Sequence, residues 1–142
     1  AEKAYIAIGK DTDGATMPHD LGVGGPRLKR SGEFVGRRSL FTEEGERGDR
    51  KQLVGLSVAE GGPPLATGAH GVERQGVGKR SLGYVTSSYH SPTLGRPIAL
   101  ALIERGAERH GEMIDVQHLG IVRRAVITSP CALDPAGDRL HA

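Results

Sequence analysis

Hydrophobic and polar positions alternate along this chain in short runs separated by glycine, proline and aspartate. The first run, Ala4-Tyr5-Ile6-Ala7-Ile8-Gly9, alternates weakly and stops at glycine, which predicts a strand. Lys10 to Pro26 is rich in Asp, Gly and Pro and reads as turns and loops. Phe34 to Glu44 has helical composition, and the pattern predicts one short helix there, closed by Gly45. From residue 49 the texture changes. Lys51 to Ala59 predicts a strand, Gly61-Gly62-Pro63-Pro64 a turn, and Gly71 to Gly78 a loop or hairpin tip. Ser81 to Ser87 predicts a second strand, and Pro97 to Glu104 is either a strand buried on both faces or a short helix. Ile114 to Gln117 and Ile121 to Ile127, separated by His118-Leu119-Gly120, predict a hairpin.

Short strands at this spacing, joined by glycine-rich turns, predict a mainly β chain with a closed or nearly closed barrel over residues 49–128. Residues 1–30 hold one expected strand and a polar loop. They read as an appendage left over from an upstream domain, with 31–142 as the barrel domain. On this reading amides of Asp11 to Asp20 exchange quickly and those of the barrel strands slowly.

Composition sharpens this mainly by exclusion. With 22 Gly in 142 residues and no Trp, a helical bundle is disfavoured, because glycine is a poor helix former. The glycines follow no period of three, so a collagen-like chain is excluded. The net charge is only +2 and both signs are interspersed, which argues against a nucleic-acid partner. Arg27-Leu28-Lys29-Arg30 and Lys79-Arg80 read as solvated surface charge. Cys131 stands alone, so no internal disulfide and no multi-cysteine zinc site can form. No apolar run approaches the roughly 20 residues of a membrane span, and no signal-peptide layout opens the chain. A cytoplasmic protein with no membrane partner is the expectation.

Several motif fragments fail on their spacing. Gly78-Lys79 is preceded by Glu73 where a Walker loop needs glycine, and followed by Arg80 where it needs Ser or Thr. No long helix follows either glycine cluster, so a dinucleotide loop is disfavoured. Asp11-Thr12-Asp13-Gly14 has its glycine at the fourth position and Gly22 at the twelfth, so it reads as an Asx-type turn and not a calcium loop. The histidines His19, His70, His90, His110, His118 and His141 lack metal-ligand spacing. Ser87, Ser88 and Ser91 near His90 lie outside any Gly-x-Ser-x-Gly elbow.

What remains is an ordered set of segments: Asp11-Thr12-Asp13-Gly14, Pro18-His19-Asp20-Leu21-Gly22, Glu33-Phe34-Val35-Gly36-Arg37-Arg38-Ser39-Leu40, and Leu53-Val54-Gly55-Leu56. It continues as Leu82-Gly83-Tyr84-Val85-Thr86-Ser87-Ser88 and Tyr89-His90-Ser91-Pro92-Thr93-Leu94-Gly95-Arg96-Pro97-Ile98-Ala99-Leu100. This set resembles the C-terminal part of the glycine-cleavage aminomethyltransferase family. The Asp-Thr-Asp-Gly and Pro-x-Asp-Leu-Gly segments resemble its branch in the alpha subunit of sarcosine oxidase. The resemblance runs from Glu2 to about Arg139.

The resemblance implies a Greek-key or jelly-roll-like barrel beside a folate-binding domain whose last strand and exit loop are residues 1 to about 30. It implies tetrahydrofolate as the acceptor of a one-carbon unit released when sarcosine is oxidatively demethylated. FAD and NAD would be held elsewhere in the full enzyme, and the partners would be the rest of the alpha subunit and the other sarcosine oxidase subunits. The family's catalytic Asp lies upstream, so no catalytic residue is assigned to this chain, which alone is expected to be inactive. Glu2, matching the family's Arg-x-Glu-x-Gly neighbourhood, is expected to border the folate pocket, with Tyr89 and Arg96 closing it from the barrel side. Family members commonly carry Trp where this chain has Gly25, within Val23-Gly24-Gly25-Pro26. Losing that stacking plane weakens pterin contact by about 1 kcal/mol. Two other functions stand beside this one: a non-catalytic barrel that docks subunits or domains, and the C-terminal domain of a glycine-cleavage aminomethyltransferase.

Overall fold

The computed structural model describes residues 1–23, 32–58 and 60–140. The expected boundary at residues 30 and 31, the basic run ending at Arg30, and Gly25 all lie outside the described residues. Six antiparallel strands close into a barrel: β1 Lys51–Val58, β2 His70–Gln75, β3 Gly78–Ser91, β4 Arg96–Glu104, β5 Met113–His118 and β6 Ile121–Thr128. Around the barrel the order is β1-β4-β3-β2-β5-β6, and β6 returns to β1. The meander β2-β3-β4 with β1 folded back beside β4 is a Greek key. Closure pairs every strand on both sides and leaves no sheet edge to aggregate.

The period of two sorts β1 and β4 cleanly. Val54, Leu56 and Val58 point inward and meet Ala99, Ala101 and Ile103 in the core. Leu53, Leu100 and Leu102 point outward, so β4 is buried on both faces and is a strand along its whole length. Pairing to both β1 and β3 outweighs the helical propensity of its Ala-Leu run.

Three expectations are corrected. Gly71 to Gly78 does hold a hairpin tip, but a narrower one than expected: Gly71 lies within β2, and only Gly76-Val77 forms the turn. A Cβ on Gly71 would sit 3.0 Å from the side chains of both Ile103 and Ile114, so this glycine serves close packing over the core. Phe34 to Glu44 is two single-turn helices, α1 Arg37–Leu40 and α2 Glu43–Glu46. Thr42 breaks them apart by turning extended and accepting the Gly45 N–H at 3.1 Å, a side-chain cap that competes with helix continuation. Gly45 lies inside α2 and does not end a helix.

Ala4 to Gly9 is not a strand. Ala4 N–H bonds the Ala1 carbonyl, and the Lys10 and Asp11 amides both bond the Ala7 carbonyl, which makes the segment a chain of turns. Its apolar side chains part company. Ile6 packs on Leu53, Leu100 and Leu102, while Tyr5 and Ile8 are 83% and 82% exposed. Residues 1–23 thus form a strap over the outward face of β1, β4 and β3, with Leu21 packed on the same leucine cluster as Ile6. Asp11 and Asp20, each 2% exposed, fix it. The Asp11 carboxylate accepts hydroxyls of Thr86 and Ser87, both at 2.5 Å, and the Ala7 amide at 2.9 Å. Asp20 pairs with the Arg50 guanidinium at 2.6 Å, and Arg50 also donates to the Ala15 carbonyl. The expected Asx turn is present one step on, where Asp13 Oδ1 accepts the Ala15 amide at 2.9 Å.

Ala4 has φ of 58°, a left-handed conformation that glycine adopts freely and alanine does not. Ala4→Gly is therefore expected to raise stability by about 0.5 kcal/mol, the relief of strain partly offset by glycine's greater unfolded-state freedom. A urea midpoint unchanged or lowered would contradict this.

Candidate functional site

The Tyr89 to Arg96 run is the β3–β4 hairpin, with Pro92 to Gly95 as its tip. Register places Tyr89 opposite Ile98 and Ser91 opposite Arg96, and Ser57 of β1 opposite Ile98. Opposed residues share a face, so Ser57, Tyr89, Ser91, Arg96 and Ile98 all lie on the outward face that the strap crosses. The strap begins at this corner. Glu2 turns its carboxylate to the Ser91 hydroxyl and, at 3.4 Å, to Thr93. Its carbonyl accepts the Ala132 and Leu133 amides at 2.9 and 3.0 Å, and Lys3 pairs with Asp134 at 2.7 Å. Glu2 therefore ties the strap, the hairpin and the 131–134 segment together.

Between them lies an open groove of about 460 Å³, lined by Glu2, Tyr5, Tyr89, His90 and Thr93 among others. Two of the expected site residues, Glu2 and Tyr89, meet in it. Arg96 does not. It lines a neighbouring cavity of about 150 Å³ with Ser57, Thr128 and Ser129, and its guanidinium donates to Ser57 Oγ. Ile98 and Ala1 line both spaces, which are therefore adjacent. Tyr5 was not singled out by the sequence, where it reads as one position of a strand. The turn chain that replaces the strand is what leaves its ring exposed beside the groove.

The electrostatics suit binding better than proton transfer. The hydrogen bond from Ser91 outweighs desolvation and holds the Glu2 carboxyl below its ordinary range, so Glu2 stays ionised and is a poor proton donor near neutrality. Lys10 lies over the Tyr89 ring at 5.2 Å and donates to its hydroxyl at 3.2 Å. Lys10, through its hydrogen bond and its charge, draws the Tyr89 phenol below its usual value. Among the described residues no group of His, Cys, Asp or Glu is placed to hold a metal ion. No described helix is long and apolar enough to cross a membrane.

Residues 51–134 match the glycine cleavage T-protein C-terminal barrel domain. The chain belongs to this family. As a T-protein C-terminal barrel it is similar to the sarcosine oxidase subunit alpha of Corynebacterium sp. (strain P-1), 40% identical over 98% of this chain and 15% of that protein. The corresponding subunit of Rhizobium meliloti (strain 1021) is 34% identical over 99% of this chain and 14% of that one. An aminomethyltransferase of Bacillus subtilis (strain 168) is 36% identical over 80% of this chain and 30% of that protein. The chain thus spans about one-seventh of the sarcosine oxidase subunits it matches. The crystal structure of glycine cleavage system aminomethyltransferase T from Bartonella henselae shares the fold, with a TM-score of 0.74 over 94% of this chain and 37% of that one, at 19% identity. Tyr89 and Arg96 fall within the matched T-protein barrel, whereas the strap residues Asp11 and Asp20 precede it. Both aspartates lie inside the stretch shared with the sarcosine oxidase subunits.

Proposed function

We propose that this chain is the C-terminal barrel of a sarcosine-oxidase-type alpha subunit and supports tetrahydrofolate-dependent one-carbon transfer after sarcosine is oxidatively demethylated. The observation that carries this reading is the match to sarcosine oxidase alpha subunits across the strap as well as the barrel, over 98–99% of the chain. Residues 1–30 are proposed as the tail end of a folate-binding domain and 31–142 as the barrel domain, with the strap welding the first to the second. Glu2 and Tyr89, with Tyr5, would hold one face of the planar pterin, and Arg96 would close the site from the barrel side. The groove fits such a group: two tyrosine rings and an ionised carboxylate line it. Tetrahydrofolate supplies the nitrogens that accept the one-carbon unit; this chain's residues bind and orient it.

FAD and NAD belong elsewhere in the proposed enzyme, with its other subunits as partners. The complete enzyme, given sarcosine and tetrahydrofolate, is expected to form the methylene-folate adduct, and Tyr89→Ala is expected to divert the product to free formaldehyde. Unchanged adduct formation together with weakened subunit association in Tyr89→Ala would favour a docking barrel instead.

A further inference from the structure

The β5–β6 hairpin breaks two local rules at its tip. Its loop is the two residues Leu119-Gly120, closing the opposed pair His118 and Ile121. Both loop residues have positive φ, 45° and 82°, as a type I′ turn requires. Such a turn strongly prefers Asn-Gly or Asp-Gly. A left-handed backbone crowds Cβ against the carbonyl oxygen, and only the short polar side chains recover that cost with a local hydrogen bond. Here the first position holds leucine, and its side chain is 88% exposed. Leu119 belongs to neither hydrophobic cluster of the chain, so packing within the fold repays neither the strain nor the exposure. A rule broken twice at one residue without internal compensation marks a functional surface.

The neighbours of Leu119 extend the pattern. Ile121 is 65% and Val122 44% exposed, so three of the four residues 119–122 hold aliphatic side chains in water. Ile121 is opposed to His118 and Val122 to Gln117, which puts the two on opposite faces of the ribbon. The tip is therefore apolar at its end and on both faces. It also stands clear of the sheet, because pairing with β1 stops at Ala125 and pairing with β2 stops at Gln117. Arg123 braces the base by donating to the carbonyls of Gly61 and Pro63. Val77, fully exposed at the β2–β3 tip, differs: it stands alone between two glycines and its φ is not positive. A knob that is apolar all round is buried by enclosure, so its counterpart is a concave apolar socket. A second copy of this chain does not supply one, since an isologous pair sets one convex tip against another. The domain proposed to lie upstream does not supply it either. The strap from that domain crosses the outward face of β1, β4 and β3, and β5 and β6 stand across the ring from β4 and β3.

We propose that the 119–122 tip is an assembly knob that inserts into an apolar socket on a different subunit of the parent enzyme. The choice of occupant rests on the sarcosine-oxidase-type reading above; the knob itself does not. The test places photo-leucine at position 119 of the complete enzyme and irradiates it, with Leu119→Asn as the companion variant. The cross-link is expected to join the alpha subunit to another subunit. Leu119→Asn should raise the urea midpoint of this chain, because asparagine tolerates the left-handed turn, yet weaken subunit association about tenfold or more, the loss of one buried anchor. Opposite signs for stability and assembly are what a merely structural leucine would not give. A midpoint that does not rise, or association that is unchanged in Leu119→Asn, overturns the inference. So does a cross-link within the same alpha chain, to a second alpha subunit or to nothing, and each of these leaves the proposed function standing. A cross-link to another subunit in an enzyme that forms no methylene-folate adduct supports the knob and overturns the folate reading. An alpha subunit that purifies with no other subunit overturns the sarcosine-oxidase-type reading, and the occupant with it.

Discussion

Gly83→Ala is expected to destabilise the barrel by about 4 kcal/mol or more, at the severe end for one added methyl group. Gly83 has φ of 148°, and a Cβ there would stand 1.9 Å from the Leu102 carbonyl oxygen and 2.9 Å from its carbon. Those are backbone atoms of the neighbouring strand, which no rotamer change can move aside. β3 would have to lift from β4 where it also pairs with Gly71 of β2, so the strain falls on two ladders at once. Gly78→Ala is the matched control. It lies in the same strand, its nearest heavy atom is 3.7 Å from the would-be Cβ, and its cost should be within about 0.5 kcal/mol. Urea midpoints of the two variants check this; similar losses would mean that the close approach at Gly83 is not what limits the barrel.

Asp11→Ala is expected to cost about 2–3 kcal/mol, because three donors converge on that carboxylate and lose their acceptor. The Ser87 hydroxyl and the Ala7 amide are left without their recorded partner, while Thr86 retains the Leu100 carbonyl at 3.2 Å. Hydrogen exchange should then quicken at the Ala7 and Asp11 amides while Leu53 to Leu56 stay protected; unaltered exchange in the strap would remove Asp11 as its anchor. In the wild type the bonded Ala7 and Asp11 amides are expected to exchange slowly, whereas a free polar loop from Asp11 to Asp20 would exchange quickly; the same measurement decides between them.

The same group helps set the acid limit. Burial alone pushes the Asp11 carboxyl up, but the Ala7 amide, the Ser87 and Thr86 hydroxyls and the Lys10 charge outweigh it and hold it below its ordinary value. A depressed carboxyl takes up its proton more readily in the unfolded chain. Its stabilisation is therefore complete above the ordinary carboxylate range near pH ~4 and is lost as pH falls through the lower folded value. Glu2 and Asp134 are depressed in the same direction. Stability should be flat from neutrality to about pH 5 and fall below about pH 4, and Asp11→Asn should make that fall shallower. An equally steep fall in Asp11→Asn would show that Asp11 does not contribute to it.

Alternation, glycine placement and short apolar runs were enough to mark β1, the middle of β3, β5 and β6, while β4, apolar on both faces, stayed open between strand and helix until its two neighbours paired with it. They also pointed to the barrel, and the Tyr89 to Arg96 motif pointed to the hairpin. What they could not mark depended on distant partners. Gly71 looks like a turn until Ile103 and Ile114 are seen against it. Ala4 to Gly9 looks like a strand until it has no strand to pair with among the described residues. Asp11 looks like a loop acid until Thr86 and Ser87, 75 and 76 residues away, close on it. Glu2, Tyr89 and Arg96 were legible as motif residues, but only the packing of the strap against the hairpin decided that two share a groove and the third lines the cavity behind Ile98. The chain's local pattern determines which stretches extend and where they turn, because that follows from each residue's neighbours in sequence. Which glycine is a packing site, which carboxylate is buried and which side chains face one space are decided only when barrel closure brings remote segments within hydrogen-bonding distance.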